Sequence, residues 1–265
     1  MPDIVLADTI TKLPAGAAGN VVVSGSHGGR YCGYLAAKGG VAAVILNDAG
    51  GGLDGAGRGA LGYLQDLVLA GAVVDAMSCR VGDATDMIAR GIISGANAAA
   101  AGLGVRKGMA CAEAAECLRR ALPSPTPPRA PDETRSEIVG LARRIVLVDS
   151  ASLVEPGDAG QIVVTASHGG LIGGYPPAAL KVDAFAAVFN DAGMGAEACG
   201  ITRLPALEAR GIAGLTVAAM SARIGDARST FHDGIVSAVN PTAARLGAAV
   251  GERLEPILRR WADGG

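Results

Sequence analysis

The chain is poor in the residue types that mark several large functional classes. Aromatic side chains make up 3% of its 265 residues, which removes the stacking platforms of single-strand nucleic-acid binders. A formal net charge of −2 supplies no electrostatic pull toward nucleic acid. No uninterrupted apolar run is long enough to cross a bilayer. Met1-Pro2-Asp3 opens directly into a strand pattern rather than a signal peptide. The five cysteines (Cys32, Cys79, Cys111, Cys117 and Cys199) have neither disulfide nor zinc spacing. The expectation is a cytoplasmic protein without nucleic-acid or membrane partners. Half of its residues are hydrophobic and 18% are charged, enough to bury a core.

What the chain does have is repetition. Ile4 to Gly29 aligns without a gap to Ile145 to Gly170. The match resumes at Asn47-Asp48-Ala49-Gly50 with Asn190-Asp191-Ala192-Gly193. It resumes again at Ser78-Cys79-Arg80-Val81-Gly82-Asp83 with Ser221-Ala222-Arg223-Ile224-Gly225-Asp226. One short insertion separates the copies. Positions kept in both copies are therefore visible within a single sequence.

Each copy alternates short β-branched runs with helical segments. In the first, Ile4 to Ala7, Asn20 to Gly25, Val41 to Leu46 and Ala72 to Met77 read as strands. Tyr31 to Ala37, Leu61 to Leu69 and Asp83 to Ile93 read as helices. The strands are apolar throughout rather than at every second residue, as in a parallel sheet covered on both faces. Leu122 to Asp132 is proline-rich and reads as a linker. The fold class expected is α/β: two tandem homologous Rossmann-like units with mainly parallel sheets, packed as a pseudo-two-fold dimer. Residues 1–121 form the first repeat, 122–140 the linker and 141–265 the second repeat. Further assembly into a homo-oligomer stays open.

The polar residues common to both copies fall just beyond strand ends. Asp8 and Asp149 follow the first strand, and Ser26-His27 and Ser167-His168 the second. Asn47-Asp48 and Asn190-Asp191 follow the third. Ser78, Arg80 and Asp83, with Ser221, Arg223 and Asp226, follow the fourth. In a parallel sheet these ends share one rim, where open α/β sheets bind ligands. Each element also has a structural reading. Asn-Asp-Ala-Gly makes a good turn, Ser78 and Asp83 can cap a helix, and an arginine can pair with a nearby aspartate. Ser-His-Gly-Gly has no evident packing role, and it accounts for two of the chain's three histidines.

In the catalytic reading, His27 and His168 are bases, Asp48 and Asp191 orient them, and Ser26 and Ser167 are hydroxyl groups within reach. Gly28, Gly29, Gly169 and Gly170 supply oxyanion amides. Arg80 and Arg223 clamp a substrate carboxylate, with Ser78, Ser221, Asn47 and Asn190 beside them. A thiol nucleophile at Cys79 would belong to the first copy alone, since Ala222 replaces it in the second. Phe231-His232 and Gly173-Gly174-Tyr175-Pro176-Pro177 are private to the second copy.

Locally, Ser26-His27-Gly28-Gly29 followed by Asn47-Asp48-Ala49-Gly50 resembles the catalytic half of the caspase-type cysteine peptidases. The nucleophile position of that pattern reads Gly50 here and Gly193 in the second copy. The resemblance therefore implies topology rather than activity. The functional expectation is a cofactor-independent and metal-independent enzyme acting on a small polar molecule bearing a carboxylate or amide, foremost a hydrolase. The alternatives are a racemase, isomerase or lyase using one acid/base group from each repeat, and a non-catalytic metabolite-binding protein.

Overall fold

A computed structural model describes residues 1–140 and 142–264. The chain is α/β, with two mostly parallel sheets. The first has the order β1-β2-β3-β4-β5, from β1 (Ile4–Ala7), β2 (Val21–His27), β3 (Ala43–Asn47), β4 (Ala70–Val74) and β5 (Ile93–Ala96). Strands β1 to β4 are parallel and β5 runs antiparallel along β4. The second sheet contains β6 (Arg135–Ile138), β7 (Ile145–Val148), β8 (Ile162–His168), β9 (Ala186–Asn190), β10 (Ala213–Val217) and β11 (Val236–Val239). Strands β7 to β10 are parallel, flanked by antiparallel β6 and β11. Strand β6 lies inside the stretch expected as linker and extends the second sheet at its edge. In both sheets the order follows the chain without reversal, so neither contains the switch-point crevice of the Rossmann order.

The continuous apolar strands are covered on both faces. In the first sheet, Val22, Val44, Leu46 and Val73 pack under α1 (Arg30–Lys38) and α2 (Gly59–Asp66). Val21, Val23, Ile45, Ala72 and Val74 pack under α3 (Ala84–Arg90), α4 (Ala98–Gly102) and α5 (Cys111–Leu118). Successive crossovers of one hand along an unreversed sheet all land on the same face, which is where α1 and α2 sit. The second sheet is covered likewise by α6 (Arg203–Glu208) on one face. Its other face carries α7 (Ala227–Asp233), α8 (Pro241–Arg245) and α9 (Leu254–Ala262), with Phe231 and Trp261 fully buried beneath them.

Besides β6, one element breaks the parallel between the halves. Where the first half has α1, the second has two short 3-10 turns, Ile172–Gly174 and Pro176–Ala179. Gly173 and Gly174 adopt positive φ, and Pro176 and Pro177 have no N–H to donate to a helix. No helix of the described residues is long and apolar enough to cross a membrane.

The halves meet through matched contacts. Gly50 and Gly193 face each other so closely that a Cβ on either would lie 2.8 Å from the other's Cα. Leu53 N–H donates to Ala219 O and Ala196 N–H to Ala76 O. Arg80 pairs with Glu197, and Arg223 with Asp54 at 2.5 Å. Ala49, Val81, Ala192, Cys199 and Ile224 form a small buried cluster between the two sheets.

Candidate functional site

The two histidines that end β2 and β8 come together across this junction. Their ring centroids are 6.3 Å apart at an interplanar angle of 78°, and both line one cavity of about 440 Å³. That volume suits a small metabolite. Chain direction places each imidazole at a strand's carboxyl end, and the Gly50–Gly193 contact brings the two ends face to face. The cavity lies between the halves rather than at a crevice within either sheet.

Both imidazoles are almost completely enclosed. Burial pushes His27 down to about 4, because the charged ring would lose its hydration. His168 is held well below its ordinary range by burial, then by the charges of Arg203 and His27. Both rings are therefore neutral at pH 7. The Gly29 N–H donates to His27 Nδ1 at 3.1 Å, which leaves the His27 proton on Nε2. His168 differs: among the described residues its buried Nδ1 has no hydrogen-bond partner, although the Gly170 backbone still pulls the ring's pKa upward.

Several other expected site residues are occupied structurally. Ser26 and Ser167 line the cavity, but each Oγ accepts a backbone N–H at 2.9 Å, from Ile10 and Ala151 respectively. Asp48 Oδ1 accepts the N–H groups of Gly50 and Ala76, while Oδ2 binds Arg58 and Ser94. Asp191 repeats the first pair with Gly193 and Ala219. Asn47 and Asn190 each accept the amide two residues on, at 2.9 Å. These bonds hold the buried residues Ala49 and Ala192 at positive φ, so Asn-Asp-Ala-Gly works as a turn that ties one strand end to the next.

The remaining candidates follow suit. Asp83 and Asp226 cap α3 and α7, and Asp8 and Asp149 accept the N–H groups of Ala84 and Ala227. Ser78 and Ser221 each bridge a loop carbonyl and a later amide. Arg80 and Arg223 are committed to the ion pairs between the halves. Gly28 and Gly169 amides donate to Asn47 O and Asn190 O. At these two positions a Cβ would overlap Gly57 O and Gly200 O, which accounts for glycine there. Cys79 is buried beside Asn47, and His232 bonds Glu255 at 3.0 Å on the surface.

The cavity also collects residues that repetition did not single out. Cys32, from the first turn of α1, lies 3.8 Å from His27 Nε2 and 4.0 Å from Nδ1. Burial, then the charge of Glu133, pushes its thiol up to about 12. It is a neutral thiol at pH 7. Glu133 reaches the wall from the interhalf segment, its carboxyl raised first by burial. Arg203, at the start of α6, lines the opposite side and is 3% exposed. Neither Cys32 nor Arg203 is matched in the other half: α1 has no counterpart, and Ala60 stands where α2 corresponds to Arg203. Among the described residues, no group of three or more His, Cys, Asp or Glu is arranged to hold a metal ion.

No family model matches the chain, and no curated protein or solved structure is significantly similar to it.

Proposed function

We propose that the chain is a cofactor-independent enzyme that hydrolyses a small polar molecule bearing a carboxylate or amide, in the cavity between its halves. The observation that carries this reading is the pair of neutral, buried imidazoles facing one cavity, one from each half. A neutral ring at pH 7 is free to take a proton, and the imidazolium it becomes can give that proton up again. We also read the halves as copies of one duplicated α/β unit about a pseudo-two-fold axis, a reading supported by the matched interhalf contacts.

The bonding divides the labour between the rings. His27 keeps its proton on Nε2, so it donates a hydrogen bond to the carbonyl oxygen as charge develops there. Among the described residues His168 Nδ1 has no hydrogen-bond partner, so this ring acts as the base. It takes a proton from water as the hydroxyl oxygen bonds to the carbonyl carbon. The carbon–nitrogen bond then breaks, and the departing nitrogen takes the proton that His168 received from water. Both rings are then back in their neutral forms. This differs from a Ser-His-Asp relay, because Ser26, Ser167, Asp48 and Asp191 are engaged with backbone and other partners.

Because one imidazole comes from each half, a second reading is proton transfer at carbon by an isomerase or lyase. The test is a screen of small amides, imides and carboxylates for turnover, with His27→Ala and His168→Ala compared on each hit. Loss of about a hundredfold or more in kcat for either variant, with the melting temperature retained, supports the assignment. Deuterium from solvent appearing on a substrate carbon favours the second reading, and unchanged kcat in both variants refutes both.

A further inference from the structure

Arg203 is a buried cation without an anion. Its side chain is 3% exposed, yet among the described residues no carboxylate lies within ion-pair distance. Nε donates to Gly170 O at 3.1 Å, and Nη1 to Ala178 O and Ala179 O at 3.1 and 2.5 Å. Phe189 presents its ring face to the guanidinium carbon at 4.9 Å. Among the described residues Nη2 has no acceptor. Buried charges in proteins are ordinarily neutralised by a partner, because desolvation is otherwise uncompensated. Here burial is severe enough to pull even an arginine down to about 10, and the side chain still borders the cavity.

We infer that Arg203 is the anchor for a substrate carboxylate, holding it at the His168 side of the cavity so that the reacting carbon faces the two imidazoles. This rests on the catalytic reading for its second clause, while the anion site stands on geometry alone. A planar carboxylate matches the exposed edge of one guanidinium. The cavity wall includes the apolar residues Ile172, Pro177 and Leu180. The place given by sequence to Arg80 and Arg223 thus passes to Arg203. Since the first half has Ala60 there, the site binds its ligand in one orientation despite its paired histidines.

The bland alternative is that Arg203 merely pins the loop of Gly170 to Ala179 to α6, which its three carbonyl contacts also do. That role predicts a change in melting temperature but no discrimination by ligand charge. The deciding experiment titrates the intact protein with acetate, malonate and succinate, with their neutral amides, and with inorganic phosphate. Proton NMR follows the three histidine rings, with exposed His232 as internal control. The expected result is saturable shifts of the His27 and His168 signals with a carboxylate, weaker binding of its amide by about tenfold or more, and no movement of His232.

Arg203→Met should abolish the preference and Arg203→Lys should keep part of it. If Arg203→Met fails to fold, the wild-type contrast of carboxylate with amide and the Lys variant still decide. The inference is overturned if amides bind as well as acids, if phosphate binds more tightly than every carboxylate, or if none moves the two signals. Carboxylate selectivity without turnover of any ligand would sink the catalytic reading and leave the anion site standing.

Discussion

Lowering the pH tests the enclosure of the two cavity imidazoles directly. His27 is pushed from 6.5 to about 4 by burial, whereas in the unfolded chain it returns to its ordinary value. Between those limits the unfolded chain binds a proton that the folded chain refuses, so stability rises with pH. The His27 contribution is complete above about pH 6.5, declines as pH falls through that value, and is fully lost below about pH 4. The difference amounts to about 3 kcal/mol, a large share of the stability of an ordinary domain. His168 is shifted in the same direction and adds to the loss. Glu133, raised by burial, works with the opposite sign.

The assay is urea unfolding from about pH 8 to about pH 5 for the wild type, His27→Gln, His168→Gln and the double variant. Each buried imidazole contributes a slope of up to about 1.4 kcal/mol per pH unit. Each single substitution should flatten the curve, and the double variant should be nearly level above about pH 5. Variants that keep the wild-type slope would show that these rings accept protons within the fold at no penalty. Neutral catalytic imidazoles would then be refuted.

Three further outcomes are expected. Gly57→Ala and Gly200→Ala each place a Cβ onto the carbonyl oxygen of Asp48 or Asp191, so either should cost about 2 kcal/mol or more by thermal or chemical unfolding, whereas Gly62→Ala, with open space around it, should not destabilise. A double-mutant cycle on Arg80 and Glu197, a half-exposed pair, should yield a coupling below about 1 kcal/mol that shrinks further in salt; a larger value would mean that this pair, rather than the apolar junction, holds the halves together. Cys32, buried and with its thiol raised to about 12, should resist iodoacetamide at neutral pH while half-exposed Cys117 reacts first, as read by peptide mass mapping; rapid alkylation of Cys32 would reveal a thiolate that this environment should not support.

By itself the sequence determined the α/β class, because uninterrupted apolar runs such as Val21-Val22-Val23 and Val44-Ile45-Leu46 suit only strands covered on both faces. It also singled out His27 and His168, since chain direction puts the end of each second strand on a rim. Repetition could not separate residues kept for folding from those kept for chemistry. Asp48, Asn47, Ser78 and Arg80 recur because a buried turn, a loop bridge and the interhalf ion pairs each require them twice. Strand β5 and helices α4 and α5 were not legible, their short alanine- and glycine-rich segments carrying little periodicity.

Tertiary structure alone decided that the two rims close into one cavity, through the Gly50–Gly193 contact. It also decided that Cys32, Glu133 and Arg203 line that cavity. None of the three has a counterpart in the other half, so internal comparison was blind to them. What distinguishes Arg203 is a charge enclosed, among the described residues, without a carboxylate beside it, a property of the space around a side chain and of no pattern along the chain.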